Sequence, residues 1–267
     1  MQAPVSGGKP TYDVYNKEMH AMRLQDKVSI ITGSGRGIGR ATALKFAAEG
    51  AKTVVCDIDQ DPVDAVVAEI RELGGEASGF VVDVTDRGSI GAMVAAVRAN
   101  YGRIDTLVNN AGVVQDARMV NMTDDQFDKV IEVNLKGTYN CAKSVIDTML
   151  MQQSGVILNA SSIVGIYGNF GQSNYAASKF GVIGMAKTWA REFGRNGIRV
   201  NAVCPGMVET DIVKGIPDKV MRTIISRVPL GRLGKPEEIA NTYAFLASDE
   251  ASFISGAVIE VSGAGTI

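Results

Sequence analysis

Tyr175 and Lys179 are the two residues of this sequence best placed for acid/base chemistry. They lie four positions apart at the start of a predicted helix, residues 175–193, so both side chains point to one face. A free tyrosine has a pKa of about 10, too high for a base near neutral pH. A lysine ammonium roughly 4 Å away favours tyrosinate by about 4 kcal/mol at an effective dielectric constant near 20. The spacing therefore predicts a phenol whose lowered pKa suits proton transfer.

Polar residues upstream of this pair add two candidates. Ser161 and Ser162 follow a predicted strand, residues 156–160, and a serine at a strand's carboxyl end faces the crevice where open α/β sheets bind ligands. Its hydroxyl would hydrogen-bond a substrate oxygen that gains charge. Asn134 falls inside a predicted helix, where asparagine is a poor helix former. It either holds a water that relays protons to Lys179 or marks a kink in the helix.

A glycine-rich stretch links the first predicted strand to the first predicted helix. Glycines permit a tight turn and close approach of backbone to a pyrophosphate, and the helix N-terminus offers free N–H groups and a positive dipole end. Position between a strand and a helix makes this a predicted dinucleotide-binding loop. Its candidate binding residues are Gly33, Ser34, Arg36, Gly37, Ile38 and Gly39.

The end of the second predicted strand indicates which dinucleotide is bound. Asp57 stands there, and a carboxylate at this point accepts hydrogen bonds from an adenosine ribose and repels a 2′-phosphate. NAD is therefore the expected cofactor. NADP stays possible, because Arg36 in the glycine loop would meet a 2′-phosphate if Asp57 turned away.

Short apolar, β-branched runs alternate with longer amphipathic stretches from Leu24 onward. This alternation predicts a single α/β domain over residues 23–267, a Rossmann-type doubly wound parallel sheet with helices on both faces. Between Pro205 and Pro236 the pattern loosens into an irregular insertion with short helical pieces, typical of an active-site lid. Predicted strands cover 28–32, 53–57, 77–82, 106–109, 156–160, 199–203 and 257–261. Predicted helices cover 39–49, 62–73, 89–100, 124–151 with a break, 175–193 and 236–247.

Composition and charge exclude several other classes. The 267 residues carry a net charge of −2 and no basic run, which argues against nucleic-acid binding. One histidine, His20, leaves neither a Ser-His-Asp triad nor a histidine-rich metal site, so no metal is expected. No apolar run is long enough to span a membrane, and residues 1–22 read as a flexible extension without a signal-peptide core. Three widely spaced cysteines, predicted to be buried free thiols, fit a cytoplasmic location.

Taken together, these motifs resemble the short-chain dehydrogenase/reductase family over about residues 24–261. The elements that carry the resemblance are the glycine loop, Asn109-Asn110-Ala111-Gly112, Asn134, Ser162, Tyr175, Lys179 and Pro205-Gly206. The resemblance implies that Ser162 positions the carbonyl, Tyr175 transfers the proton, Lys179 holds the ribose and lowers the pKa of the tyrosine, and Asn134 completes a proton relay. It also implies a homotetramer, with the helices that hold Asn134 and Tyr175 at one interface.

The same resemblance assigns further cofactor contacts. Gly112, Pro205 and Gly206 belong to the matching motifs. Asp83 and Val84 would flank the adenine, Asn110 and Ala111 the adenosine ribose side, and Val208 and Thr210 the nicotinamide carboxamide and phosphates.

Within the family, residues 168–175, 229–234 and 245–248 are similar to those of 3-oxoacyl-(acyl-carrier-protein) reductases. The expected activity is thus an NAD(P)-dependent ketoreductase or secondary-alcohol dehydrogenase acting on a ketone, an alcohol or an acyl thioester. An alternative is a catabolic NAD-dependent dehydrogenase of a sugar, a steroid or another secondary alcohol, because the biosynthetic reductases mostly use NADPH. A dinucleotide sensor without chemistry would not need the Tyr175–Lys179 pair.

Overall fold

The computed structural model describes residues 22–211 and 217–265. Its seven strands are β1 (Val28–Thr32), β2 (Lys52–Asp57), β3 (Glu76–Val81), β4 (Thr106–Asn109), β5 (Gly155–Ala160), β6 (Ile198–Pro205) and β7 (Val258–Val261). Its helices of four residues or more are α1 (Gly37–Ala48), α2 (Gln60–Glu72), α3 (Arg87–Tyr101), α4 (Asp124–Val130), α5 (Gly137–Gln152), α6 (Val164–Tyr167), α7 (Ser173–Phe193), α8 (Asp218–Ser226) and α9 (Pro236–Ala247). A π-helical turn, Ile131–Lys136, joins α4 to α5.

All seven strands form one parallel sheet in the order β3-β2-β1-β4-β5-β6-β7. The chain moves outward from β1 to β3, then returns to the other side of β1 with β4. The carboxyl ends of β1 and β4 therefore flank a topological switch point, which is where doubly wound sheets bind ligands. This confirms the predicted fold class.

Two hydrophobic layers cover the two faces of the sheet. Neighbouring strand residues alternate between the layers, as Ile30 and Ile31 do in β1, because successive strand side chains point to opposite faces. One layer packs beneath α3, α5 and α7, and the other beneath α1, α2 and α9. Burial on both faces explains why the strands read as continuous apolar runs.

The predicted elements are present, with ends that differ by up to two residues. The break expected inside residues 124–151 is the π turn, and Asn134 lies within it. Helix α6 was not predicted, because its four residues are too short for a helical period. The irregular insertion 205–236 contains α8, while residues 212–216 lie outside the described residues, as do residues 1–21 of the predicted extension and His20.

Cys56, Cys141 and Cys204 are buried free thiols, as predicted. Within the described ranges, no helix is both long and apolar enough to cross a membrane.

Candidate active site

A cavity of about 980 Å³ opens at the carboxyl edge of the sheet, across the switch point. Nearly all the site residues predicted from the sequence line its wall. They are Gly33, Arg36, Gly37, Ile38, Gly39, Asp57, Asp83, Val84, Asn110, Ala111, Gly112, Ser162, Tyr175, Lys179, Pro205, Gly206, Val208 and Thr210. The two that do not line it are Ser34 and Asn134.

The glycine loop packs so closely that two of its glycines, Gly33 and Gly39, have no room for a side chain. A Cβ at Gly39 would lie 2.1 Å from the carbonyl oxygen of Gly33, and Gly33 itself has a φ of +62°. At the start of α1, Arg36 provides no side-chain cap. The first N–H groups of this helix, which have no intrahelical acceptor, are thus available to an anion in the cavity.

Ser34, a predicted cofactor contact, does not line the cavity. The side chain is fully buried; its hydroxyl donates to the carbonyl of Ile31 at 2.7 Å and accepts from the N–H of Cys56 at 2.9 Å. The backbone N–H of Ser34 donates to Cys56 as well. This residue ties β1 to β2 beneath the loop.

Asn110 braces the glycine loop from the β4 side. Its side-chain amide donates to the carbonyl oxygens of Thr32 and Gly33, each at 3.0 Å. The Thr32 hydroxyl in turn accepts the N–H groups of Asn110 and Ala111. The Asn-Asn-Ala-Gly motif therefore holds the two sides of the switch point together.

Asp57 is held in a fixed orientation at the end of β2. One carboxylate oxygen accepts the N–H of Gly35 at 2.9 Å, and the other accepts the N–H of Ile58 at 2.8 Å. Arg36 points to a different acid, because its guanidinium forms an exposed ion pair with Asp59 at 2.5 Å. The carboxylate thus faces the cavity with free lone pairs, while the nearby cation is already neutralised.

Asp83 follows β3 on the same side of the cavity. Its carboxylate accepts both the N–H and the hydroxyl of Thr85, at 2.8 and 2.7 Å. The backbone hydrogen bond holds the pKa of Asp83 below its usual value. The acid therefore stays ionised and in place beside Val84, which packs against Gly137.

Ser162, Tyr175 and Lys179 meet where β5 ends against α7. The Lys179 ammonium donates to the carbonyl oxygen of Ala160 at 2.8 Å and lies 5.6 Å from the centroid of the Tyr175 ring. Ser161 supports this arrangement from behind, because its hydroxyl donates to the carbonyl of Lys179. Tyr175 hydrogen-bonds with Ser162.

The pKa of Tyr175 shifts in the direction opposite to the sequence prediction. Burial raises this pKa above its ordinary value, and the hydrogen bond with Ser162 opposes the rise without reversing it. Burial also lowers the pKa of Lys179 to about 8. The prediction treated the ammonium as the dominant influence and left out the desolvation of the phenol itself, which is larger here.

Asn134 acts on the loop after β4. Its carboxamide accepts the N–H of Val113 at 2.8 Å, donates to the carbonyl of the same residue at 2.9 Å, and contacts the hydroxyl of Ser178. A Cβ at Gly112 would lie 3.3 Å from the Asn134 oxygen and 3.5 Å from the Lys179 nitrogen. The π turn thus places Asn134 beside Gly112 and near Lys179, where it fixes the Gly112–Val113 backbone.

Several wall residues had no signal in the sequence. Asp116 and Gln172 hydrogen-bond to each other through the carboxylate and the amide, and Arg227 comes from the insertion. Their positions depend on loop geometry between elements. Further wall residues without a sequence signal are Met207, Val228 and Ser262 in loops, and Lys129, Ile224 and Tyr243 on helices α4, α8 and α9.

Comparison with known proteins agrees with this geometry. Residues 33–265 match the family model described as Enoyl-(Acyl carrier protein) reductase. The chain is 52% identical over 242 residues to the 3-oxoacyl-(acyl-carrier-protein) reductase of Thermotoga maritima, covering 91% of this chain and 98% of that protein. It is 42% identical to the 3alpha-hydroxysteroid dehydrogenase of Mediterraneibacter gnavus, over 91% of this chain and 98% of the other.

A solved structure of a 7alpha-hydroxysteroid dehydrogenase, complexed with NADH and 7-oxo glycochenodeoxycholic acid, superposes with a TM-score of 0.89 at 35% identity. The match covers 92% of this chain and 96% of that one. The chain therefore belongs to the short-chain dehydrogenase/reductase family of NAD(P)-dependent oxidoreductases, which act on CH–OH and C=O groups.

Proposed function

We propose that this chain reduces the ketone of a 3-oxoacyl thioester with NADH, using Ser162, Tyr175 and Lys179 as its catalytic residues. The observation that carries the proposal is the meeting of these three side chains in the wall of the cavity that also holds Asp57 and the glycine loop. The similarity to a 3-oxoacyl-(acyl-carrier-protein) reductase at 52% identity supports the substrate class.

The residues present fit a nicotinamide dinucleotide. The uncapped N-terminus of α1 suits a pyrophosphate, and the tight Gly33–Gly39 contact lets backbone approach it closely. Asp57 would accept the ribose hydroxyls, with Asp83 and Val84 beside the adenine. Lys179 would hold the ribose nearer the reacting centre. When bound, the nicotinamide supplies the hydride for reduction and accepts it in the reverse direction.

Side chains of the protein itself would supply the proton that the substrate oxygen gains. Ser162 would donate a hydrogen bond to the substrate oxygen, and Tyr175 would give that oxygen its proton. The raised pKa of Tyr175 keeps the phenol protonated near neutral pH, which is the form that reduction requires. The Lys179 ammonium beside the ring would stabilise the tyrosinate left behind. Asn134 would hold the Gly112–Val113 backbone, and with it the position of Lys179.

The geometry of Asp57 supports NAD as the preferred cofactor. Two backbone N–H groups hold its carboxylate toward the cavity, where a 2′-phosphate would meet a negative charge. Arg36 is already engaged by Asp59. Binding NADP would require both acids to release their present partners.

The same observation favours a second candidate, a catabolic NAD-dependent dehydrogenase of a steroid or another secondary alcohol. The 42% identity to a 3alpha-hydroxysteroid dehydrogenase is consistent with it. Both candidates would use the same catalytic residues. They differ in the substrate that would contact the cavity wall near Met207, Ile224 and Val228.

Initial rates of acetoacetyl-CoA reduction with NADH and with NADPH test the proposal. We expect turnover, faster with NADH, and a fall of at least about a hundredfold in kcat for Tyr175→Phe with an unchanged fold. Absence of turnover in the wild type, with NADH still bound, would reject the thioester and favour the second candidate. Near-normal turnover in Tyr175→Phe would reject the mechanism.

A further inference from the structure

The carboxyl end of α8 presents three residues to the cavity, and one of them is charged. Ile224, Arg227 and Val228 line the wall, and their spacing of three and four positions places them on one helical face. This face continues past the last residue of α8, because Arg227 keeps a right-handed helical backbone. The intervening Ile225 and Ser226 do not line the wall. Here the wall therefore combines two branched apolar side chains with one guanidinium.

Arg227 is a cation of the cavity wall that no described group neutralises. Two other cations of the wall have partners, since Arg36 forms an ion pair and Lys179 donates to a backbone carbonyl. Lys129 contributes to the lowered pKa of Asp83. Among the residues that the structure describes, the guanidinium of Arg227 makes no hydrogen bond or ion pair. Its side chain is exposed, so an anionic group of a ligand could reach it and accept two parallel hydrogen bonds.

Contacts at the end of α8 place Arg227 far from the adenine end of the cavity. A Cβ at Gly263 would lie 3.0 Å from one methyl group of Val228, and a Cβ at Gly265 would lie 3.1 Å from the other. Both glycines follow β7, whereas Asp57 ends β2. Five strand spacings of about 4.8 Å separate β2 from β7, roughly 24 Å in all. The free cation therefore lies on the side of the cavity away from the proposed adenosine site.

We propose that Arg227 is a specificity-determining residue that binds an anionic group of the ketone substrate, remote from the ketone, with Ile224 and Val228 against the uncharged atoms next to it. In the acyl thioester of the proposed function, this anion is the phosphate that joins the pantetheine arm to its carrier. The dimethylated carbon beside that phosphate would pack on the two apolar side chains. A carboxylate on a steroid substrate would offer the same chemistry in the second candidate.

This inference rests on the proposed function, since it requires a ketone substrate beside Ser162 and Tyr175. The test variant is Arg227→Gln, which removes the charge and keeps a polar side chain. Initial rates with NADH are compared for acetoacetyl-phosphopantetheine and acetoacetyl-pantetheine, which differ only in the phosphate. We expect the KM for the phosphorylated thioester to rise about tenfold in the variant, as loss of a charged hydrogen bond predicts. Its kcat, and the KM for the neutral thioester, should stay within about twofold of the wild type.

Arg222→Gln is the matched control, because Arg222 is exposed on the same helix and does not line the cavity. It should leave both KM values unchanged, while Arg227→Lys, which retains the charge, should recover part of the loss. A second pair of substrates, a 3-oxo steroid carboxylic acid and its methyl ester, identifies the source of the anion. A preference of the wild type for this acid that Arg227→Gln abolishes would support the role of Arg227 and assign the anion to the carboxylate.

The alternative role of Arg227 is purely structural, since a cation at the end of a helix stabilises the helix dipole. A lower melting temperature in Arg227→Gln with unchanged KM values for all four compounds would establish that role and overturn the proposal. A weaker dissociation constant for NADH, with no loss of preference for the anionic substrates, would overturn it as well. Wild-type protein that binds NADH and reduces none of the four ketones would reject the proposed function and this inference together. Normal turnover without any preference for the anionic substrates would reject this inference alone.

Discussion

Lys179 combines two properties that oppose each other. Its ammonium is buried beside Tyr175 with one carbonyl partner, and burial lowers its pKa to about 8. Removing a charge from water is costly unless it is well paired. The free protein therefore loses stability by burying Lys179, the residue on which the proposed mechanism depends.

Lys179→Met should stabilise the free protein at pH 7 by about 1 kcal/mol while abolishing turnover. A folded-state pKa of about 8 against an ordinary 10.5 means that the unfolded chain binds the extra proton between these values. The free energy of unfolding of the wild type therefore rises as the pH rises from about 8 to 10.5, by up to about 1.4 kcal/mol per pH unit. Denaturant titrations from pH 7 to 10 should show the advantage of the variant shrinking above pH 8. A constant advantage would contradict the buried, destabilised ammonium.

Tyr175 sets the expected pH dependence of catalysis. Because burial raises its pKa, the phenol stays protonated through neutral and mildly alkaline pH. Reduction needs this protonated form and the Lys179 ammonium, so its kcat should be level from about pH 6 and decline only as Lys179 loses its proton near pH 8, whereas alcohol oxidation needs the tyrosinate and should accelerate as pH rises. Rates measured in both directions from about pH 6 to 9 check this. Reduction that declines from pH 6 upward would show that the pKa is lowered instead.

Asp57→Asn should weaken the discrimination against NADPH. The amide keeps an oxygen for one backbone N–H but removes the charge that a 2′-phosphate would meet. We expect the ratio of kcat/KM for NADH over NADPH to fall by about tenfold. Asp59→Asn is the companion variant, since it releases Arg36 without altering the ribose acceptor. It should improve NADPH use more modestly, and no change in either variant would place the 2′-phosphate elsewhere.

Among the elements, the start of α1 depends most on a single residue. Gly39→Ala would place a methyl group 2.1 Å from the carbonyl oxygen of Gly33 and 2.6 Å from the amide nitrogen of Asn110, so the loop must move. We expect dinucleotide affinity to fall by more than about tenfold and the free energy of unfolding to drop by roughly 1–3 kcal/mol. Gly91→Ala on α3, where no atom lies within 4 Å, should instead be neutral or slightly stabilising. Comparable binding by both variants would refute the close packing.

The sequence predicts the strands and helices better than it predicts the contacts and burial of individual side chains. The strands and long helices follow from apolar period and length, and the glycine loop, Asp57, Tyr175 and Lys179 follow from their places at strand and helix ends. Ser34 shows the limit: its type and position suit a ligand contact, yet it bonds β1 to β2. The direction of the Tyr175 pKa depends on three-dimensional burial, and Arg227 lines the cavity only through the placement of α8. No local pattern encodes either.

For the whole molecule, we propose the homotetramer that the family resemblance implies, with α5 and α7 at one interface. Large apolar side chains stand exposed on these helices: Phe180 is 65% exposed, Met151 at the end of α5 is 68% exposed, and Tyr139 is 40% exposed. Phe180 directly follows Lys179, so its side chain turns outward while the lysine turns inward. Aromatic residues and methionine are enriched at protein–protein contacts, so their exposure on these two helices supports the interface.

Phe180→Glu should therefore break this interface. A charge placed in a desolvated contact is strongly unfavourable, so light scattering at micromolar concentration should show the tetramer falling to dimers or monomers. Phe253→Glu, at a fully exposed phenylalanine beyond α9, is the matched control and should keep the assembly. Because α7 also carries Tyr175 and Lys179, we expect the dissociated Phe180→Glu protein to lose turnover and melting temperature together. A Phe180→Glu protein that remains tetrameric would exclude this face of α7 from the interface, and a fully active monomer would show that the site is complete without a partner.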